Sequence, residues 1–177
     1  MATTKKMLQA AAGNAGGAVD IADAFSTDPY AGNSTARAIT NGVDLSSEGG
    51  FVWTKRRDGD GPNIVFDSER SFNPAPFTDG TDFVNVGSNG MVSFDSDGFS
   101  LGADSSSYVN YTGRTYVAWT FRKAPKFFDV VTYTGNGATR TIAHDLGVAP
   151  GMIVIKALST TTGWSTYHRS VGATKYL

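Results

Sequence analysis

One feature constrains the fold of this chain more than any other: it contains a partial second copy of itself. Reading from Phe25, the residues Tyr30, Gly32, Asn33, Arg37 and Ile39 follow at fixed spacings, and Phe128, Tyr133, Gly135, Asn136, Arg140 and Ile142 repeat them 103 positions later. A second block, Gly50-Phe51-Val52-Trp53-Thr54-Lys55, aligns with Gly151-Met152-Ile153-Val154-Ile155-Lys156 at an offset of 101, and Phe66 aligns with Tyr167 at the same offset. The offset changes between Ile39 and Gly50, where one copy has a longer loop. Six identities in order followed by an aligned block define a duplicated structural unit.

Each unit reads as β. Phe128 to Tyr133 is rich in β-branched and aromatic residues, Gly135-Asn136-Gly137 supplies a tight turn, and Arg140-Thr141-Ile142 begins a return strand. Ala149-Pro150-Gly151 turns into a short apolar strand, Met152 to Lys156. In the first unit, Asp82 to Val86 alternates, Ser88-Asn89-Gly90 turns, and Met91 to Phe94 returns. Asp95 to Gly98 turns again into Phe99-Ser100-Leu101, and Tyr116 to Phe121 closes the unit. Short strands separated by Gly and Asn turns predict an all-β chain, an antiparallel sandwich or jelly-roll-like repeat, in place of a parallel α/β sheet. The first unit is expected over 25–126. The second, 127–177, stops at roughly half length, lacking counterparts of the strands around Phe83, Met91 and Tyr116. Half a sandwich leaves edges unpaired, so either the natural chain is expected to continue past Leu177 or a partner to complete the fold; Lys175-Tyr176-Leu177 looks like a strand beginning.

Residues 1–24 are expected to be an attachment element. Thr3 or Thr4 can cap a short helix that Gly13 ends, with Met7, Leu8 and Ala11 on one side and Asn14 to Gly17 as a flexible joint. A helix of this length is marginal alone and needs a surface to dock on. Lys5, Lys6, Met7, Leu8, Ile21 and Phe25 are the expected attachment residues.

Composition narrows the chemistry. The 177 residues carry a net charge of −1, with no basic stripe of the kind nucleic-acid binders use. Charged residues are 18% against 40% hydrophobic, enough to bury a core. No apolar run is long enough to insert in a membrane. Zero cysteines remove disulfides, zinc–thiolate sites and cysteine nucleophiles, and His144 and His168 are the only histidines. His168 occupies the position that Asp67 holds in the first unit, a swap unsuited to a catalytic base. No nucleophile elbow, Walker loop or dinucleotide fingerprint is present. Asp95 with Asp97 and Asp58 with Asp60 flank single residues in turns and read as turn formers, not as a glycosidase pair or an EF-hand calcium loop. Asn33-Ser34-Thr35 and Asn110-Tyr111-Thr112 read as chance matches to glycosylation acceptors. No catalytic residue, metal or cofactor is expected, and the chain reads as a non-enzyme. Of the three tryptophans, Trp53 and Trp119 are expected in the core, and Trp164 near the surface as a possible glycan contact.

Several stretches resemble repeats of virion structural proteins of tailed phages, in particular tail fibres of marine cyanobacterial phages. They are Gly49 to Lys55 with Phe66 to Arg70, Phe94 to Gly102, Thr115 to Trp119, and, in the second unit, Leu146 to Lys156 with Trp164 to His168. The opening Met1 to Ala12 is similar to the start of such fibre proteins. The resemblance implies a structural protein of the virion tail that attaches a fibre through its N-terminal part. Tail adaptor or tube proteins, and copies of itself in a homo-oligomer, usually a trimer, are the implied partners, with host adhesion in distal parts outside this chain. The alternatives are a carbohydrate-binding adhesion module and a small virion adaptor or capsid-decoration protein.

Overall fold

The computed structural model describes residues 19–172. Within that range the chain is all-β and antiparallel, with two one-turn helices, α1 (Ile21–Ala24) and α2 (Leu45–Glu48). Eleven strands follow in order: β1 (Phe25–Ala31), β2 (Arg37–Thr40), β3 (Gly50–Arg56), β4 (Asn63–Asp67), β5 (Ala75–Pro76), β6 (Phe83–Val84), β7 (Met91–Asp95), β8 (Gly98–Leu101), β9 (Thr115–Arg122), β10 (Met152–Lys156) and β11 (Trp164–His168).

Nine of them group into three sheets that explain the architecture. The main sheet runs β1-β9-β3-β4, a second runs β2-β8-β7, and β10-β11 stand as a separate hairpin; β5 and β6 form a small ribbon. Alternation along the strands selects which residues face inward. Val52 and Thr54 of β3, Ile64 and Phe66 of β4, and Ala118 and Thr120 of β9 are all fully buried. The hydrophobic side chains among them meet Ile39, Phe99, Leu101 and Met91 from the second sheet in one cluster. The two sheets are therefore the layers of a sandwich, and the cluster between them is its core.

Buried polar groups organise one end of that core. Asp104, fully buried, accepts hydrogen bonds from the backbone N–H groups of Ser106, Val109 and Asn110. The Asn110 side chain donates to the carbonyls of Thr35 and Gly102 and accepts from Asn33 N–H. Its zero exposure explains why the Asn110-Tyr111-Thr112 motif cannot present a glycan acceptor in the folded protein. Tyr30 completes the web, its hydroxyl donating to Val109 O at 2.7 Å and its ring stacking on Tyr116 at 5.5 Å.

Burial, and next the neighbouring Tyr116, raise the Tyr30 pKa above its ordinary value. The folded-state pKa is raised, so this contribution to stability is full below the unfolded tyrosine value of about 10 and is lost as pH rises beyond it. We expect cooperative alkaline unfolding to begin above that pH. A spectrophotometric titration should show Tyr30 ionising with the unfolding transition; ionisation well before loss of β structure would contradict the burial argument.

Three sequence-based expectations differ from the structure. Phe128 to Tyr133 and Arg140 to Ile142, expected as strands, are irregular. Their first-unit counterparts, β1 and β2, pair with β9 and β8, strands that have no counterpart within 127–172, so β-favouring side chains there have no ladder to join. Trp53 and Trp119, expected in the core, are half-buried on the opposite face of the main sheet, where they pack at 5.2 Å. The alternation was correct; the face was not. The proposed helix and joint at 1–17 lie outside the described residues.

Candidate functional site

Most of the exposed large hydrophobic side chains lie in the second unit, whose geometry follows that of the first. β3 and β4 pair as Phe51↔Asp67, Val52↔Phe66, Trp53↔Val65, Thr54↔Ile64 and Lys55↔Asn63. β10 and β11 pair as Met152↔His168, Ile153↔Tyr167, Val154↔Thr166, Ile155↔Ser165 and Lys156↔Trp164. Every pair is shifted by the 101 residues of the sequence repeat. The terminal bond recurs too, Ser68 N–H to Gly50 O at 3.0 Å and Arg169 N–H to Gly151 O at 2.9 Å.

Local contacts around the first turn are copied in the same way. Arg37 donates to Ala31 O at 2.9 Å and Arg140 to Thr134 O at 2.8 Å. Asn33 accepts from Thr35 N–H and Asn136 from Ala138 N–H. What differs is the long-range surroundings. Val52 and Thr54 are fully buried, whereas Ile153 and Ile155 in their places are 40% and 43% exposed. Tyr30 is partly buried, with its hydroxyl on Val109 O, whereas Tyr133 is 47% exposed. Apart from Ile21 and Val92, the large hydrophobics that stand well exposed in the described range all lie between Val131 and Leu158.

The hairpin is held to the first unit at its loop end, where Lys156 pairs with Trp164. Trp164 donates its indole N–H to Phe77 O at 2.8 Å, and the Lys156 ammonium donates to Thr81 O and lies 5.0 Å from the Phe83 ring centroid. Phe127 and Phe128 join Phe25, Phe51 and Phe121 in an aromatic cluster, with Phe121 lying 4.9 Å from Phe25 and 5.2 Å from Phe128. Beside it, Lys123 bridges Glu69 at 2.7 Å and Asp129 at 3.4 Å. Its pKa is raised, chiefly by the Glu69 hydrogen bond. These groups and His144 line a shallow cleft of about 250 Å³.

The remaining residues singled out from sequence are placed as follows. Ile21 on α1 is 55% exposed, and Phe25 belongs to the aromatic cluster. Lys5, Lys6, Met7 and Leu8 lie outside the described residues. Trp164 is half-buried, with its polar edge engaged by Phe77. His168 bonds the Ser170 hydroxyl through Nδ1 at 2.6 Å. Asp58 is bonded by Arg56 at 2.8 Å, which holds its carboxyl below the ordinary carboxylate range, and Arg56 also donates to Asp60 O. Asp95 accepts from the hydroxyls of Ser93 and Ser100. Both acidic turns are therefore internally bonded. Sequence reasoning missed Asp104, because a buried carboxylate serving backbone N–H groups leaves no periodic signature.

These features define an antiparallel β protein in which the β3–β4 hairpin recurs as β10–β11. Residues 20–177 match the family described as a domain of unknown function, DUF7483, and the chain belongs to that family. Neither the curated proteins nor the solved structures contain a match to the chain. No helix among the described residues is long and apolar enough to cross a membrane.

Proposed function

We propose that this protein is a structural subunit of a tailed-phage tail fibre, located in the tail of the virion, whose N-terminal part attaches the fibre to a tail adaptor or tube protein. The observation that carries this reading is the hairpin copied at a spacing of 101 residues with its register intact. Serial β units suit an elongated element whose length is set by the number of modules. The sequence resemblance to tail fibres supplies the virion context. On this reading Lys5, Lys6, Met7 and Leu8 dock the chain, with exposed Ile21 and Phe25 continuing the contact. Self-association into a homo-oligomer, a trimer in the fibre pattern, and host adhesion through parts outside this chain belong to the same proposal. No catalytic step is assigned.

Deletion of Met1 to Ala12 tests the attachment role. We expect particles assembled with the deleted protein to lose it, as measured by quantitative mass spectrometry of purified virions, while the β fold melts unchanged. Undiminished incorporation would contradict the proposal. Crosslinks from Lys5 or Lys6 to a tail protein are the matching positive result.

A further inference from the structure

We infer that Lys123 and Asp129 are the site of an intramolecular isopeptide bond, with Glu69 relaying the protons that its formation moves. The inference goes beyond the fibre reading and stands without it, because it rests on three side chains gathered where β9 ends.

The backbone sets up the pair. Ala124 N–H donates to Phe128 O at 2.9 Å and Phe128 N–H to Ala124 O at 3.2 Å, closing an antiparallel bridge. In such a ladder the next residues outward, Lys123 and Asp129, stand opposite each other with their side chains on one face. Lys123 is also fixed from the other side, its N–H donating to Gly49 O at 3.0 Å. A Cβ built on Gly49 would lie 3.3 Å from Lys123 Cδ, so the lysine stem passes over a residue with no side chain. Its ammonium then reaches Glu69 Oε1 at 2.7 Å and Asp129 Oδ1 at 3.4 Å.

Asp129 is held as an acyl donor should be. Its side chain is 6% exposed, against 23% for Lys123. Oδ1 accepts from Val130 N–H at 2.9 Å and Oδ2 from Asp145 N–H at 2.8 Å. Backbone donors on both oxygens fix the carboxyl group and stabilise the charge that grows on oxygen as an amine adds to Cγ. Nζ lies 3.4 Å from an oxygen bonded to that carbon, close to the roughly 3–3.5 Å of near-attack geometries. The ion pairs of Arg56, Arg70 and Arg122 hold guanidinium groups, which do not lose a proton. Lys123 places a primary amine between two carboxylates instead.

The step starts from the ammonium and both carboxylates. Glu69 takes a proton from Nζ, and the freed lone pair adds to Asp129 Cγ. Two protons from Nζ pass in turn through Glu69 to Oδ1, the Cγ–Oδ1 bond breaks, and Oδ1 leaves as water. The Nζ–Cγ amide remains, Glu69 ends as it began, nothing is oxidised or reduced, and no net proton goes to solvent. Positioned groups reach effective concentrations of about 10⁵–10⁸ M, which offsets the preference of free amines and acids for staying apart in water. The bond ties the end of β9 to the start of the second unit, so that tension along the chain bypasses Ala124 to Phe128.

Intact mass spectrometry of the full chain, after prolonged incubation of the folded protein, reads the bond. We expect wild type to lie one water below its sequence mass, and K123R, which keeps the positive charge, to lie at its own. Tryptic cleavage after Lys126 should leave Lys123–Lys126 and Phe127–Arg140 joined as one branched peptide. E69Q should form the bond at least roughly a hundredfold more slowly. A wild-type chain at full sequence mass would overturn the inference. So would loss of a water without the branched peptide, as a succinimide at Asp58-Gly59 would give, or bond formation in E69Q at the wild-type rate.

Discussion

Phe66→Ala is expected to cost about 3–5 kcal/mol, the range for emptying a buried aromatic site. Tyr167→Ala, at the corresponding position of the repeat, is expected to cost about 1 kcal/mol or less. Phe66 is fully buried between the two sheets, with the Phe72 ring edge-on at 6.2 Å. Removing it leaves a cavity whose walls belong to both sheets and cannot collapse together without breaking the ladder between β3 and β4. Tyr167 occupies the same register opposite Ile153 but is only partly buried, so solvent already reaches much of what truncation would expose. Urea denaturation of both variants measures the difference. Equal losses would mean that the second unit encloses a core of its own.

A second contrast concerns backbone approach. Gly32→Ala is expected to cost about 3 kcal/mol, because the new methyl would press on main-chain atoms that have no rotamer to escape to. Besides Tyr111 O at 2.2 Å, it would meet the carbonyl carbon of Asn110 at 2.7 Å. Moving that segment disturbs the bonds from Gly32 N–H to Arg114 O and from Asn33 and Ser34 N–H to Asn110 O. Gly135→Ala faces open space and should fall within about 0.5 kcal/mol of wild type. Calorimetric melting of the two variants reads both effects. A large loss at Gly135 would show that its surroundings are already filled.

The two contrasts also explain what the sequence could reveal. Local patterns were readable: β7, β8, β9 and β10 fall where alternation and turn residues put them, and the two blocks that the repeat aligned, Gly50 to Lys55 and Gly151 to Lys156, fall on β3 and β10. Phe128 to Tyr133 misled because its composition is that of a strand, whereas a strand forms only beside a partner, and the partner of β1 is β9, about 90 residues away in sequence. Trp53 and Trp119 alternate as β residues should, but alternation names two faces without saying which one is the core. The polar web of Asp104, Asn110 and Tyr30 joins residues far apart in the chain and had no local signal. Trp164 is a different case: sequence placed it near the surface, and the structure adds that Phe77 O engages its indole N–H.

The most direct test of one hairpin recurring in two settings is residue-resolved amide hydrogen exchange on the full chain. Phe51, Trp53 and Lys55 donate into the ladder with β9, so their amides should exchange only through opening of the main sheet. Met152, Val154 and Lys156, their repeat counterparts, lie on a strand that pairs only with β11 among the described residues and should exchange orders of magnitude faster, with Ile153 and Ile155 slowed by pairing with β11. Equal protection at the two sets of three amides would contradict the difference in setting.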